Sequence, residues 1–322
     1  MKRALLFLGI LFPSLFDVSV AGELYKFQDA KGLIGFKNET GKVVVKPKYT
    51  GAVNSYEGMA AVGMEYEDGS ATWGFVDAKG KLVVPLKYAE VGNFSDGLAI
   101  VSLKGKWGYI NKAGKVVIAP TYANGKSFSD GLAAVTLDEK WGYIDKTGTQ
   151  VIPSRYDRVE DFSGGLAAVS IGERWGFVDK SGVEAISLKY KGAKNFANGL
   201  APVNGGKWGF VDKTGKEVIP QKYDEAQSFS EGLAVVGLKR KFGYINPTDS
   251  AVIPLKFDAA EEFSEGLAAV KSEGAWNYID STGNEVIGLK SASLPGSFSG
   301  GRSKVNVDGE EYFIDKQGGR IY

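Results

Sequence analysis

The chain contains no cysteine and no histidine among its 322 residues. That pair of absences removes disulfides, thiolate nucleophiles, Ser-His triads, imidazole bases and the common zinc sites together. Only carboxylates, lysines, tyrosines and hydroxyls remain to carry chemistry. Charge of either sign is also lacking in excess: 39 basic residues face 38 acidic ones, a formal net charge of +1. A nucleic-acid partner needs a basic face to displace counterions, and this composition offers none. No phosphate loop, nucleophile elbow, zinc signature or dinucleotide fingerprint occurs. The sequence therefore predicts no enzyme, no cofactor and no metal.

What the chain has in plenty is glycine, 44 residues of it, with 43% hydrophobic content and 24% charge. The last two values are ordinary for a globular protein. At the N-terminus Lys2 and Arg3 precede an apolar stretch from Ala4 to Phe16, and Ser19-Val20-Ala21 supplies small residues for cleavage. Residues 1–21 are thus expected to be a signal peptide, cut after Ala21, with 22–322 as one exported domain, secreted or periplasmic. Lys2, Arg3 and Asp17 leave with the signal, which takes the balance to 37 basic and 37 acidic residues. The apolar stretch is short for a membrane span, and no span is expected once it is removed.

The glycines recur on a beat. Trp73, Trp107, Trp141, Trp175, Trp208 and Trp276 are the six tryptophans, spaced 34, 34, 34, 33 and then 68 residues, and Phe242 fills the long gap. All but Trp276 are followed by Gly, then Tyr or Phe, then Ile or Val, and usually Asp, as in Trp141-Gly142-Tyr143-Ile144-Asp145. A second block, Phe94-Ser95-Asp96-Gly97-Leu98-Ala99, recurs around Phe128, Phe162, Phe196, Phe229, Phe263 and Phe298, with a copy reading Tyr56-Glu57-Gly58-Met59-Ala60. A third ends in proline (Val218-Ile219-Pro220), and a fourth reads Lys222-Tyr223-Asp224 or Arg155-Tyr156-Asp157.

Each block is a short strand or a turn. Period-2 runs rich in aromatic and β-branched residues are strands, joined by tight hairpins such as Lys104-Gly105-Lys106. In the Asp145–Gly148 type of turn, Asp caps and Gly takes the positive-φ position. Proline is expected to close the third strand. Within Trp141–Asp145, Trp and Tyr share one face and Gly and Ile the other. The glycine admits a neighbouring backbone, and one unit alone cannot bury its rings, so stacked neighbours supply the core.

This pattern resembles the WG-repeat (KWG-repeat) family, most closely at Lys106-Trp107-Gly108-Tyr109-Ile110-Asn111 and Lys140 to Asp145. The resemblance covers essentially the whole chain after residue 21, with departures at Ile34, Asn277 and Glu311. It implies an interaction or envelope module and says little about activity. Nine units are counted. Because each shows three clear strands and no unit is split between the chain ends, the reading is all-β, tandem three-stranded β-meander repeats forming an open β-superhelix or solenoid. A closed β-propeller, of roughly 4–8 four-stranded blades in typical cases, is the alternative.

The tryptophan ladder with Phe242 reads as structural repeat packing, against a glycan-stacking surface. The recurring Asp77, Asp145, Asp179, Asp212, Asp280 and Asp315 read as turn caps rather than calcium ligands or a glycosidase pair, since a residue repeated in every unit lacks the asymmetry that pair needs. Lys106, Lys140, Arg174, Lys207 and Lys241, each just before an aromatic, could form a basic stripe. One hairpin breaks the beat: Met64 to Thr72 is longer than its counterparts, and Glu65, Tyr66, Glu67 and Asp68 at its tip are the local candidates for a binding contact. The expected function is a non-catalytic exported scaffold with a protein partner in the cell envelope. The alternatives are a cell-wall, peptidoglycan or polysaccharide-binding module and, more remotely, a carboxylate-dependent hydrolase.

Overall fold

The computed structural model describes residues 23–291 and 293–321; the expected signal peptide lies outside them. The chain folds into nine antiparallel sheets in sequence order, the blades of a closed β-propeller. This corrects the open superhelix expected from three strands per unit. Six of the nine sheets have a fourth strand among the described residues. It spans six residues in Glu90–Ser95 but is hidden elsewhere because it is short, as Gly51–Ala52, Arg158–Val159 and Gly192–Ala193 have only two residues each. No alternation pattern shows over such a length. Strands are named A to D outward from this short one, so blade 5 comprises Arg158–Val159, Leu166–Ile171, Arg174–Asp179 and Glu184–Tyr190.

Turn chemistry sets the hairpins. In the A–B turn Asp96 and Gly97 have φ of 55° and 85°, the mirror-image turn that matches strand twist. In the C–D turn the Asp145 carboxylate accepts the N–H groups of Thr147 and Thr149, and Asn111 does the same for Ala113 and Lys115. The D strand differs from expectation. It runs through its proline, as Gln150–Tyr156 does through Pro153. Trp141 pairs with Tyr156 but Tyr143 with Ile152, so two extra residues bulge there. The glycine after tryptophan makes the bulge possible: a Cβ on Gly142 would lie 2.5 Å from the Ile152 carbonyl oxygen. Blade 8 carries Asn277 at this place and Gly288 where blade 4 has Pro153.

The core lies between blades. Tyr143 packs forward with Val159, Phe162 and Val169 of blade 5, whereas Ile144 packs backward with Leu98 and Ile118 of blade 3. Each junction from blade 2/3 to blade 8/9 adds an aromatic pair, such as Tyr143–Phe162 at 4.8 Å, edge to face. Buried alanines stand opposite four of these rings, Phe75, Tyr143, Phe177 and Tyr278, which leaves room for them. Where strand C carries tyrosine, its hydroxyl reaches the next blade's A strand: Tyr143 Oη donates to Glu160 O at 2.7 Å and Tyr244 Oη to Glu261 O at 2.8 Å. Eight apolar clusters tie consecutive blades, one for each junction from 1/2 to 8/9.

The ninth junction, blade 9 to blade 1, closes the ring by other means. Arg302 stands where the other units have Leu or Met. Its guanidinium donates to Lys26 O at 2.7 Å and Asn54 Oδ1 at 3.4 Å, and it stacks near Tyr25 and Phe313. Blade 2 is also adapted. Tyr56 bridges to Met59 as Ser129 does to Leu132. Tyr56 therefore holds the serine position, and Ser55 the phenylalanine position. Ser55 is buried and its Oγ accepts the Leu24 N–H at 2.7 Å.

Candidate interaction surfaces

The A strands face the central axis, and their side chains converge there. Lys126 donates to Val159 O at 2.8 Å and Glu160 at 3.3 Å, with Asp161 at 3.9 Å. Lys194 of blade 6 hydrogen-bonds Gln227 of blade 7. Burial lowers the Lys194 pKa, and Glu262, Glu225 and Glu160 from three other blades oppose that shift. Burial likewise raises Asp161, Glu261 and Glu262 above the ordinary carboxylate range. These axial charges were missed in the sequence because nearly all of them fall just beyond the short strand that was not recognised.

The basic stripe is largely neutralised on one face of the ring. Lys140, Lys207 and Lys241 pair with Asp157, Asp224 and Asp258, the last at 2.7 Å. The second carboxylate oxygen of Asp157 accepts the Gly172 N–H at 2.6 Å, and that of Asp224 the Lys239 N–H at 2.7 Å. The acidic residue of the Lys-Tyr-Asp block therefore joins one blade's C strand to the next blade's B–C hairpin. Lys106 and Arg174 are exposed and have no acidic residue at the matching place, where Ala123 and Lys191 stand. These lysines do not form one continuous cationic band.

The tryptophans pack on backbone. Trp175 and Trp276 are buried, and Trp73, Trp107, Trp141 and Trp208 are half-buried. A Cβ on Gly63 would meet the Trp73 ring at 2.9 Å. Arg158 covers the Trp175 ring at 5.2 Å and Lys194 that of Trp208 at 5.3 Å. Half-buried Phe242 holds the same place in blade 7. The repeated aspartates are turn caps: Asp77, Asp145, Asp179, Asp212, Asp280 and Asp315 each accept two backbone N–H groups two and four residues on. Hydrogen bonds from Thr282 and Asn284 pull the Asp280 carboxyl down to about 2.

The long hairpin is built from Met59–Glu65 and Ala71–Asp77. Its tip is exposed at Glu65, Tyr66, Glu67 and Asp68, with Tyr66 at 50%. Asp68 caps the turn through Ser70, and the Tyr66 and Thr72 hydroxyls lie 3.0 Å apart. Its counterparts in blades 3 and 4 have only two residues between paired strand ends, as between Leu103 and Lys106. Among the described residues no cluster of three acidic side chains is placed to hold a metal ion, and no helix is long and apolar enough to cross a membrane.

A family profile described as a WG containing repeat matches residues 34–66, 73–107, 107–141, 141–175, 175–204, 208–241 and 242–276. No curated protein matches the sequence. Among solved structures, one titled as a eukaryotic initiation factor is similar at TM-score 0.62 and 13% identity, covering 93% of this chain and 94% of its own. Kluyveromyces lactis Hsv2p aligns at TM-score 0.45 and 12% identity over 71% and 93% of the two chains. At such identities the first shows the shared fold alone.

Proposed function

The chain belongs to the WG containing repeat family, and from that premise we propose that it is an exported, non-catalytic scaffold that holds a protein partner on its hairpin face. One observation carries the proposal: the hairpin that most outgrows its repeat presents Glu65, Tyr66, Glu67 and Asp68 to solvent. The repeated aspartates cap turns, and Lys140, Lys207 and Lys241 pair with neighbouring acidic residues. An exposed tyrosine is the kind of anchor that protein interfaces favour. Export rests on the N-terminal pattern, and N-terminal sequencing of the purified protein should read Gly22 first.

The test is a photo-crosslinking residue at Thr72, beside Tyr66 but outside the segment to be deleted, in the producing cell. A discrete adduct that disappears when residues 65–70 are shortened to a two-residue turn supports the proposal. Capture unchanged by that deletion overturns it. The second reading, a cell-wall or polysaccharide-binding module, draws on the partial exposure of Trp73, Trp107, Trp141 and Trp208. Retention on purified peptidoglycan with a shifted tryptophan emission would favour that module over the scaffold.

A further inference from the structure

In several blades strand B carries a carbonyl served by a backbone N–H on the segment that holds strand A. Ala61 O takes the Val53 N–H at 3.0 Å, Ala134 O that of Lys126 at 2.9 Å, Ala168 O that of Glu160 at 2.8 Å and Ala269 O that of Glu261 at 2.9 Å. In blade 1 the same position is Lys26. Among the described residues its carbonyl takes the Arg302 side chain instead, and no A strand pairs with Leu24–Gln28. The next such carbonyl accepts the N–H just before or at the start of strand A, as Ser170 O does from Asp157 and Gly237 O from Asp224, both at 2.8 Å. Its blade 1 counterpart is Gln28, and among the described residues no backbone N–H reaches it.

A cleft of about 450 Å³ lies along this edge, between blade 1 and blade 9. Its lining includes the apolar or aromatic Phe27, Ile34, Tyr312 and Phe313 and the cationic Lys26, Arg302, Lys304 and Arg320. Two carboxylates partly balance them: Glu311 pairs with Lys304 at 2.6 Å and Glu310 with Arg320. Arg302 bonds a carbonyl and an amide oxygen and stacks on two rings, with no carboxylate among these partners. The cleft is net cationic, and the Lys26 ammonium is disfavoured by burial and by Arg302 and Lys304.

The other junctions show what fits such a place. At each from 1/2 to 7/8 a Tyr or Phe ending strand D, for example Tyr156, Tyr223 or Phe257, is buried between blades. In three of them an Asp follows at once, and its chain then runs on as strand A.

We propose that the blade 9–blade 1 seam docks an extended segment of a partner protein, carrying an aromatic residue followed by acidic ones, by strand addition to Leu24–Gln28. The inference rests on the scaffold reading and names a second contact for it. Strand addition supplies main-chain bonds at the edge that no described strand covers, and the pocket supplies side-chain choice. A carbonyl has two lone pairs, so Lys26 O can take a peptide N–H while Arg302 stays near and meets the acidic residue.

The probe is a fluorescent peptide copying Lys222–Phe229, the protein's own linker, titrated into the purified chain. Saturable binding is expected, weakened at least tenfold by replacing its tyrosine with alanine or by N-methylating the aspartate amide that would reach Gln28 O. The double variant Lys26→Glu, Lys304→Glu should lose the acidic peptide at least tenfold and prefer a copy with lysines at the acidic positions. Hydrogen exchange should slow at the Lys26 and Gln28 amides when peptide is added. Equal binding of a scrambled peptide, indifference to N-methylation, or amides already protected by residues 1–22 would overturn the proposal. Shortening residues 65–70 should leave peptide affinity unchanged, so failure here and failure of the hairpin contact are separable.

Discussion

Replacing Gly142 with alanine tests why tryptophan is followed by glycine. The added Cβ would lie 2.5 Å from Ile152 O and 2.8 Å from Ser154 N, close to 1 Å inside ordinary contact and against backbone on the bulged strand. Overpacking of this kind costs about 1–3 kcal/mol. If the strands part to admit the methyl, a ladder hydrogen bond worth about 1 kcal/mol weakens as well. The expected loss is therefore about 3 kcal/mol. Gly131→Ala is the matched control. Its φ is 88° with no atom within 4 Å of the added Cβ, so it meets only the left-handed penalty of about 1–2 kcal/mol. Urea unfolding followed by tryptophan emission should move the midpoint more for Gly142→Ala than for Gly131→Ala, at similar slopes. Blade 8 suggests the rescue. Gly142→Asn should be tolerated better beside Pro153→Gly, the pairing seen at Asn277 and Gly288. Equal shifts for the two glycines, or no rescue, would refute the bulge argument.

Ser55→Ala removes the acceptor of the buried Leu24 N–H and should cost about 1–3 kcal/mol, measured by the same unfolding; a change near zero would mean the joint of blades 1 and 2 is held otherwise. Asp280 has its pKa depressed from 3.8 to about 2. Its contribution is therefore present above pH 3.8 and lost as pH falls through about 2. Asp280→Asn keeps the acceptor oxygen, as Asn111 and Asn246 do, so its stability should fall less over that acid range than the parent's. Phe162→Ala, at a fully buried ring pair, should cost about 3–5 kcal/mol, and melting curves would show it.

The repeat and its turns were legible because their causes are local. A carboxylate two residues before the N–H it caps, or glycine at positive φ, needs no distant partner. The face assignment of Tyr143 and Ile144 followed from alternation alone. The A strands were not legible, since two residues such as Arg158 and Val159 carry no period, and with them went both the ring and the axial charges. Pro153 misled because a proline that ends one strand can equally sit on a bulge, and the choice depends on the partner strand. Arg302 in a leucine position was a visible departure, yet its partner Lys26 lies 276 residues away. Tyr56 drew the eye as an aromatic, and only the bridge to Met59 placed Ser55 in the phenylalanine site.

The absence of cysteine makes ring closure directly measurable. Cysteines at Ala30 and Glu310, both exposed on B–C hairpins of blades 1 and 9, would carry spin labels, with Lys106 and Lys140 of neighbouring blades 3 and 4 as the reference pair. A closed ring predicts that the two pairs give closely similar distance distributions by pulsed electron resonance. A much longer or broad distance for the 30/310 pair beside a short one for 106/140 would contradict the nine-bladed ring.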